Sequence, residues 1–392
     1  MEIIKVLMAL IKSVITKTKL DKPLTLTETD SQRLFDLSKA HDMAHLVAFS
    51  IDFNEVKVPS NVKANFQKEQ NIAVFRYEKS NYEIQALYNL FEENNIEYVP
   101  LKGAVLSAFY PEPYLRTSAD IDILVHEEQI EKSIKLICEK LNYKQKVYGP
   151  HDISLISPSG VNFELHYDLL DNEITIKTPK PLEDMWNHTV VNDNGSLRKD
   201  FVDELFYYYH IAHMAKHFLY GGCGIKPFID LWVLNNLVKF DREKRLSWLK
   251  DGGLEEFDKQ VNLLCKIWFE GATHTDMTKQ MESYILKGGV YGTIENNVAV
   301  GQIKRGNKFK YFFARIWIPY ERLKYRYPKL EKRKWLLPFY QVKRWFGIVF
   351  NDRFKKSVNE MKILNATTKD DKQKTNQMLK DLEIVNENTI KY

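Results

Sequence analysis

Residues 101–126, LKGAVLSAFYPEPYLRTSADIDILVH, set two aspartates alternating with isoleucines inside what otherwise reads as a buried apolar strand. A strand turns successive side chains to opposite faces, so Asp120 and Asp122 share one face while Ile121 and Ile123 share the other. Two carboxylates a few ångströms apart repel, and burying them costs several kcal/mol unless a cation lies between them. A divalent metal ion is the economical way to remove both penalties, and a solvated strand face or a turn is the alternative.

A third carboxylate is available in VNFELHYDL, where alternation puts Asn162, Glu164 and His166 on one face and Val161, Phe163, Leu165 and Tyr167 on the other. If that strand neighbours the aspartate strand, three carboxylates converge. Oxygen-rich clusters of this kind select Mg²⁺ or Mn²⁺, and such ions serve in-line phosphoryl displacement. Upstream, IEYVPLKG reads as a strand and GAVLSAFY as a helix opening at Gly103. The free N–H groups at that helix start attract phosphate. Lys102 and Arg116 flank it, one as a point charge and the other able to form paired hydrogen bonds to a triphosphate, with Ser118 beside them; the alternative is that both neutralise neighbouring carboxylates.

This strand, LKG, helix, Arg116, SADIDILV and FELHYDL series resembles the uncharacterised nucleotidyltransferase family of the DNA polymerase beta-type nucleotidyltransferase superfamily. The likeness extends over roughly residues 30–240, including the helices on both sides of the sheet. It implies an α+β fold, a minimal mixed sheet with helices, and transfer of a nucleoside monophosphate from an NTP donor to an acceptor hydroxyl with release of pyrophosphate. By that likeness Asp120 and Asp122 are metal ligands for Mg²⁺ or Mn²⁺, and Glu164 is a third ligand or the catalytic base. Ala104 stands where the superfamily has Gly or Ser, which removes a hydroxyl from the phosphate site and leaves the backbone cradle.

Around this core (residues 96–195) the pattern predicts a helical lead-in over 1–95 and a helical domain over 196–300 that packs on the active cleft. A basic aromatic helical region over 301–365 and a polar, loosely ordered tail over 366–392 complete the chain. The hydrophobic fraction of 44% argues against wholesale disorder, and a net charge of +5 is too balanced to identify a nucleic-acid protein by charge alone. Cys138, Cys223 and Cys265 are scattered, with neither disulfide nor zinc spacing. No apolar run approaches the roughly 20 residues that span a bilayer, and a cytoplasmic location is expected.

The HIAHMAKH segment sets His213 and His217 four residues apart on one helix face with His210, and without an HExxH arrangement it does not read as a zinc hydrolase. Either His213, Lys216 and His217 face the cleft, or the histidines are satisfied core residues. His151 and His166 carry the same two readings. The basic aromatic stretch 301–350 is read as a structural cap, with contact to nucleic acid or an anionic membrane surface as the alternative. The expected acceptor is a small molecule or glycan precursor. Other readings are a toxin-like enzyme that modifies tRNA or protein, and a non-catalytic module that binds nucleic acid or a membrane surface.

Overall fold

The computed structural model describes residues 2–149, 151–169, 180–191, 195–219 and 221–290, together with parts of 317–349 and 369–385. Residues 301–316 of the basic aromatic stretch, 350–368, and 386–392 of the tail lie outside the described residues.

The chain begins with helices α1 (Ile3–Ile15), α2 (Glu28–Ala40), α3 (Ala44–Phe53) and α4 (Ser60–Glu93). Apolar residues recur along one side of α1, and Leu7, Leu10, Ile11 and Val14 are buried as a result. Thr27 caps α2 by accepting from the Asp30 N–H, which satisfies one of the free donors at that helix start.

Next come β1 (Tyr98–Pro100), the short α5 (Gly103–Leu106), β2 (Asp120–Val125), α6 (Ile130–Lys140), β3 (Lys144–Tyr148), β4 (Asp152–Ile156) and β5 (Asn162–His166). They form one mixed sheet in the order β1-β2-β5-β4-β3, in which β2 and β5 run parallel and the other neighbours antiparallel. The SPSG turn joins β4 to β5 as its composition predicts, with Gly160 at φ +85. Strand β3 has no counterpart in the sequence reading, because KQKVY is exposed at the sheet edge and lacks apolar alternation.

The sheet has two differently used faces. Ile121, Ile123, Phe163 and Leu165 pack in one core with Leu87, Phe91, Ile134 and Ile137 of α4 and α6. Leu124, on the face of the two aspartates, belongs instead to a second core, which includes residues of α1–α3 and of the later helices. The carboxylate face is therefore turned toward helices at its Leu124 end, while Asn162 at the other end is exposed.

After α7 (Lys180–Glu183) and the hairpin β6 (Thr189–Val191) with β7 (Lys199–Phe201), five helices follow: α8 (Asp203–Leu219), α9 (Lys226–Leu237), α10 (Arg242–Asp251), α11 (Glu255–Glu270) and α12 (Asp276–Gly288). The fold is α+β. Two further described helices are α13 (Leu337–Val349) and α14 (Lys369–Asp381). Helix α14 corrects the expected loose tail: Met378, Leu379, Leu382 and Ile384 are buried in the same core as α12. The charged residues of KDDKQKTNQ obscured a short apolar cluster that follows them. Among the described residues, no helix is long and apolar enough to cross a membrane.

Candidate active site

The site begins at the β1–α5 turn. Lys102 adopts φ 46, a left-handed conformation rare outside glycine, and this places its chain end over the sheet. Its Nζ lies 2.7 Å from Asp122 Oδ1. Gly103 permits a close approach: a Cβ there would sit 3.1 Å from both Cβ and Oγ of Ser118. The Ser118 hydroxyl in turn donates to Asp120 at 3.3 Å.

The parallel pairing of β2 with β5 sets Asp120 opposite Asn162 and Asp122 opposite Glu164. His166, two residues along the same face of β5, donates from Nε2 to Asp122 Oδ1 at 2.9 Å and lies 3.7 Å from Glu164. Because an ionised carboxylate only accepts, this bond places a proton on His166 Nε2. Asp122 is 2% exposed. Burial would raise its pKa, but the charge of Lys102 and the hydrogen bond from His166 prevail and hold it well below the usual carboxylate range. For Glu164 the balance is opposite: burial first, then the charges of Asp122 and Asp120, push its pKa up to about 7. Burial, with Asp122 next, also raises Asp120.

These groups line a cavity of about 410 Å³ whose other wall includes His213, Lys216 and His217 of α8. The histidine cluster thus divides between its two readings. His213 and His217 face the cavity, with their Nε2 atoms 3.3 Å apart. His210 is a satisfied core residue bonded to the Pro227 carbonyl at 2.9 Å. Burial, with Lys102 second, lowers His217 to about 4 and His213 well below its ordinary value, so both are neutral near pH 7. His151 lines the cavity as well, its ring 6.0 Å from that of His166.

Arg116 lines the cavity too, but all three of its guanidinium nitrogens are engaged. Nε and Nη2 donate to Asp230 at 2.8 Å each, and Nη1 donates to the Thr117 carbonyl. Asp230 also accepts from the Tyr110 hydroxyl at 2.7 Å. The residue read as a triphosphate clamp thus ties the loop before β2 to α9. A parallel tie joins Lys226 to Asp42 at 2.6 Å and to the Thr117 carbonyl at 3.1 Å. Sequence reasoning missed Asp42, Lys226 and Asp230. The one available signal was a Lys and an Asp four residues apart in KPFIDLWVL, where Phe228, Ile229, Leu231 and Trp232 are all buried.

Comparison with known proteins bears on what this geometry serves. Residues 27–270 match the model of a family described as "Uncharacterised nucleotidyltransferase". The chain belongs to this nucleotidyltransferase family. No curated protein matches it. Among solved structures it is similar to an antigenic nucleotidyltransferase-like protein from Paracoccidioides brasiliensis, with 17% identity, 45% of this chain and 88% of that chain covered, and a TM-score of 0.30.

Nucleotidyltransferases of this kind typically use a divalent metal, and the residues present fit one. Asp122, Glu164 and His166 each offer a ligand atom, all within 4.8 Å of one another. The raised pKa of Glu164 marks a local shortage of positive charge, which a bound cation would relieve. With its Nε2 proton directed at Asp122, His166 suits the site as an orienting donor, which leaves the two carboxylates as ligands for a hard ion.

Proposed function

We propose that this chain is a Mg²⁺- or Mn²⁺-dependent nucleotidyltransferase that moves a nucleoside monophosphate from an NTP to an acceptor hydroxyl. The observation that carries the reading is the register of β2 on β5, which sets Asp122 against Glu164 in the wall of a cavity. Asp122 and Glu164, with Asp120 beside them, would hold the ion. When bound, the ion would neutralise charge on the triphosphate and on the pyrophosphate that leaves.

The protein's own groups supply the rest. Glu164 would be ionised with the ion bound, and as a carboxylate within reach of the acceptor hydroxyl it would take that group's proton. The acceptor oxygen then bonds to the α-phosphorus as the bond from that phosphorus to the pyrophosphate oxygen breaks. Lys102, already over Asp122, provides a cation for the triphosphate once an ion takes its place on that carboxylate. At the start of α5 the Ala104, Val105 and Leu106 N–H groups already donate to the Leu101 and Lys102 carbonyls, so Gly103 would supply the backbone contact to the phosphates. A cavity of about 410 Å³ falls within the usual range for small-molecule sites, about 300–1,000 Å³, and suits a nucleotide donor; a sugar or glycan precursor is the acceptor we propose.

The test is thermal stability of the wild type and of Asp120→Asn/Asp122→Asn with each of four NTPs, with and without Mg²⁺ or Mn²⁺. A metal-dependent shift with an NTP, absent from the double variant, supports the donor site and identifies the base. No shift with any nucleotide in either metal defeats the proposal in favour of a non-catalytic binding module.

A further inference from the structure

Helix α13 packs Tyr340 and Trp345 on the rings of Tyr327 and Trp317, yet it also buries polar residues and turns an apolar stripe outward. Gln341 is fully buried and Arg344 is 5% exposed, while Phe339 is 69% and Phe346 60% exposed, with Val342 at 43% between them. Trp335, in the turn Lys334–Leu336 that leads into the helix, is 68% exposed. These four residues fall at spacings of four, three and four, so they line one outward stripe. The polar side is held inward in part by a hydrogen bond from the Gln341 amide to the Ile318 carbonyl. A globular helix ordinarily buries its apolar side, and an outward apolar stripe marks a contact surface.

The charge around the stripe narrows the partner. Arg333, Lys334 and Lys343 are exposed beside it, and Lys343 and Lys334 lie over tyrosine rings. Residues 301–350 contain fourteen Lys and Arg against two Glu, a surplus of twelve in a chain whose whole net charge is +5. The remainder of the chain is therefore net negative, and the cationic charge is concentrated on the segment that carries the stripe.

We propose that α13 and its leading turn form an anchor for anionic lipid bilayers, with Trp335, Phe339, Val342 and Phe346 entering the headgroup–acyl boundary and the flanking Lys and Arg meeting lipid phosphates. An apolar stripe with Trp and Phe, rimmed by Lys and Arg, is the pattern of a helix lying in a membrane interface. Valine has no π-face on which a base could stack, which disfavours nucleic acid. A second copy of this chain would bring two cationic segments together, which disfavours self-association.

The experiment is co-sedimentation of the full chain with vesicles of phosphatidylcholine alone, and of phosphatidylcholine with phosphatidylglycerol in a three-to-one ratio. The wild type is expected to pellet with the anionic vesicles and not with the neutral ones. Phe339→Glu/Val342→Glu is expected to lower the partition coefficient at least about tenfold, because both apolar contacts are lost. Its Tm and NTP-induced thermal shift should match the wild type. The proposal is overturned if anionic vesicles fail to retain the wild type or retain both proteins equally. It is also overturned if single-stranded RNA binds with an affinity that the variant keeps while vesicles do not, or if the only change is from dimer to monomer.

Discussion

Asp122 and Glu164 are cross-strand partners in the parallel β2–β5 pair, so two carboxylates 42 positions apart in the chain lie side by side on one face of the sheet. Under the proposed chemistry neither can be replaced by its amide without loss of the ion or of the base. Asp122→Asn and Glu164→Gln should each lower kcat by roughly a hundredfold or more. Steady-state release of pyrophosphate measures this, and turnover within a few-fold of wild type in either variant would refute the assignment.

Asp122 has a second, structural consequence. It is buried and accepts from both Lys102 and His166, so removing its charge leaves the Lys102 ammonium, only 22% exposed, without its partner. Breaking such a pair from one side costs about 3 kcal/mol or more, whereas removing both charges costs much less. Asp122→Asn should therefore destabilise the protein more than Asp120→Asn does. Lys102→Met placed on top of Asp122→Asn should recover part of the loss. Urea denaturation of the wild type, Asp122→Asn, Lys102→Met and the double variant closes the cycle, and strict additivity would mean that the pair contributes nothing.

The pH dependence of metal binding follows from Glu164. Its pKa in the folded chain is raised from near 4.5 to about 7. A carboxyl shifted this way favours the folded state at low pH, and that contribution is lost as pH rises from about 4.5 through 7. A divalent ion binds the ionised form and so displaces a proton near neutrality. The Tm increase produced by Mg²⁺ should accordingly be larger at pH 8 than at pH 6 in the wild type, and small at both in Glu164→Gln. Equal shifts at the two pH values in the wild type would contradict the linkage.

The parts of this site that could be read from the sequence are those set by local periodicity. Asp120, Asp122 and Glu164 alternate with apolar residues that the structure buries, so their common face was available from a period of two. The sequence left the pairing of the two strands conditional, and the β2–β5 register supplies it. The partner of Arg116 was not accessible, because Asp230 lies 114 residues away and only the docking of α9 brings it near. Lys226 and Asp42, 184 residues apart, were hidden for the same reason. Strand β3 escaped notice because an exposed edge strand needs no apolar alternation, and α14 because its buried residues are few and follow a charged run.

Gly103 tests how tightly the phosphate cradle is built. Gly103→Ala would bring a Cβ to 3.1 Å from the Ser118 Cβ and Oγ, so the loop before β2 must give by a few tenths of an ångström. Because Ser118 also donates to Asp120, that displacement reaches the acidic face. The variant should fold, with a stability loss of about 1 kcal/mol, and should bind NTP more weakly than wild type. Unchanged NTP affinity in a titration of the thermal shift would show that the α5 start does not contact the triphosphate.

The engagement of Arg116 by Asp230 separates a structural role from a ligand-binding one. The pair is almost wholly buried, with 11% and 1% side-chain exposure, and its two-pronged geometry cannot be reproduced by lysine. Asp230 also accepts from the buried Tyr110 hydroxyl, so its loss would leave two donors unsatisfied at once. Asp230→Asn and Arg116→Lys should each cost about 3 kcal/mol or more in denaturant unfolding, and a paired apolar replacement, Arg116→Met/Asp230→Leu, should cost less than either. With the guanidinium committed to Asp230, NTP affinity of the folded Arg116→Lys protein should stay within a few-fold of wild type. A large loss of NTP affinity at undiminished stability would instead return Arg116 to the triphosphate and leave Asp230 as the residue that aims it.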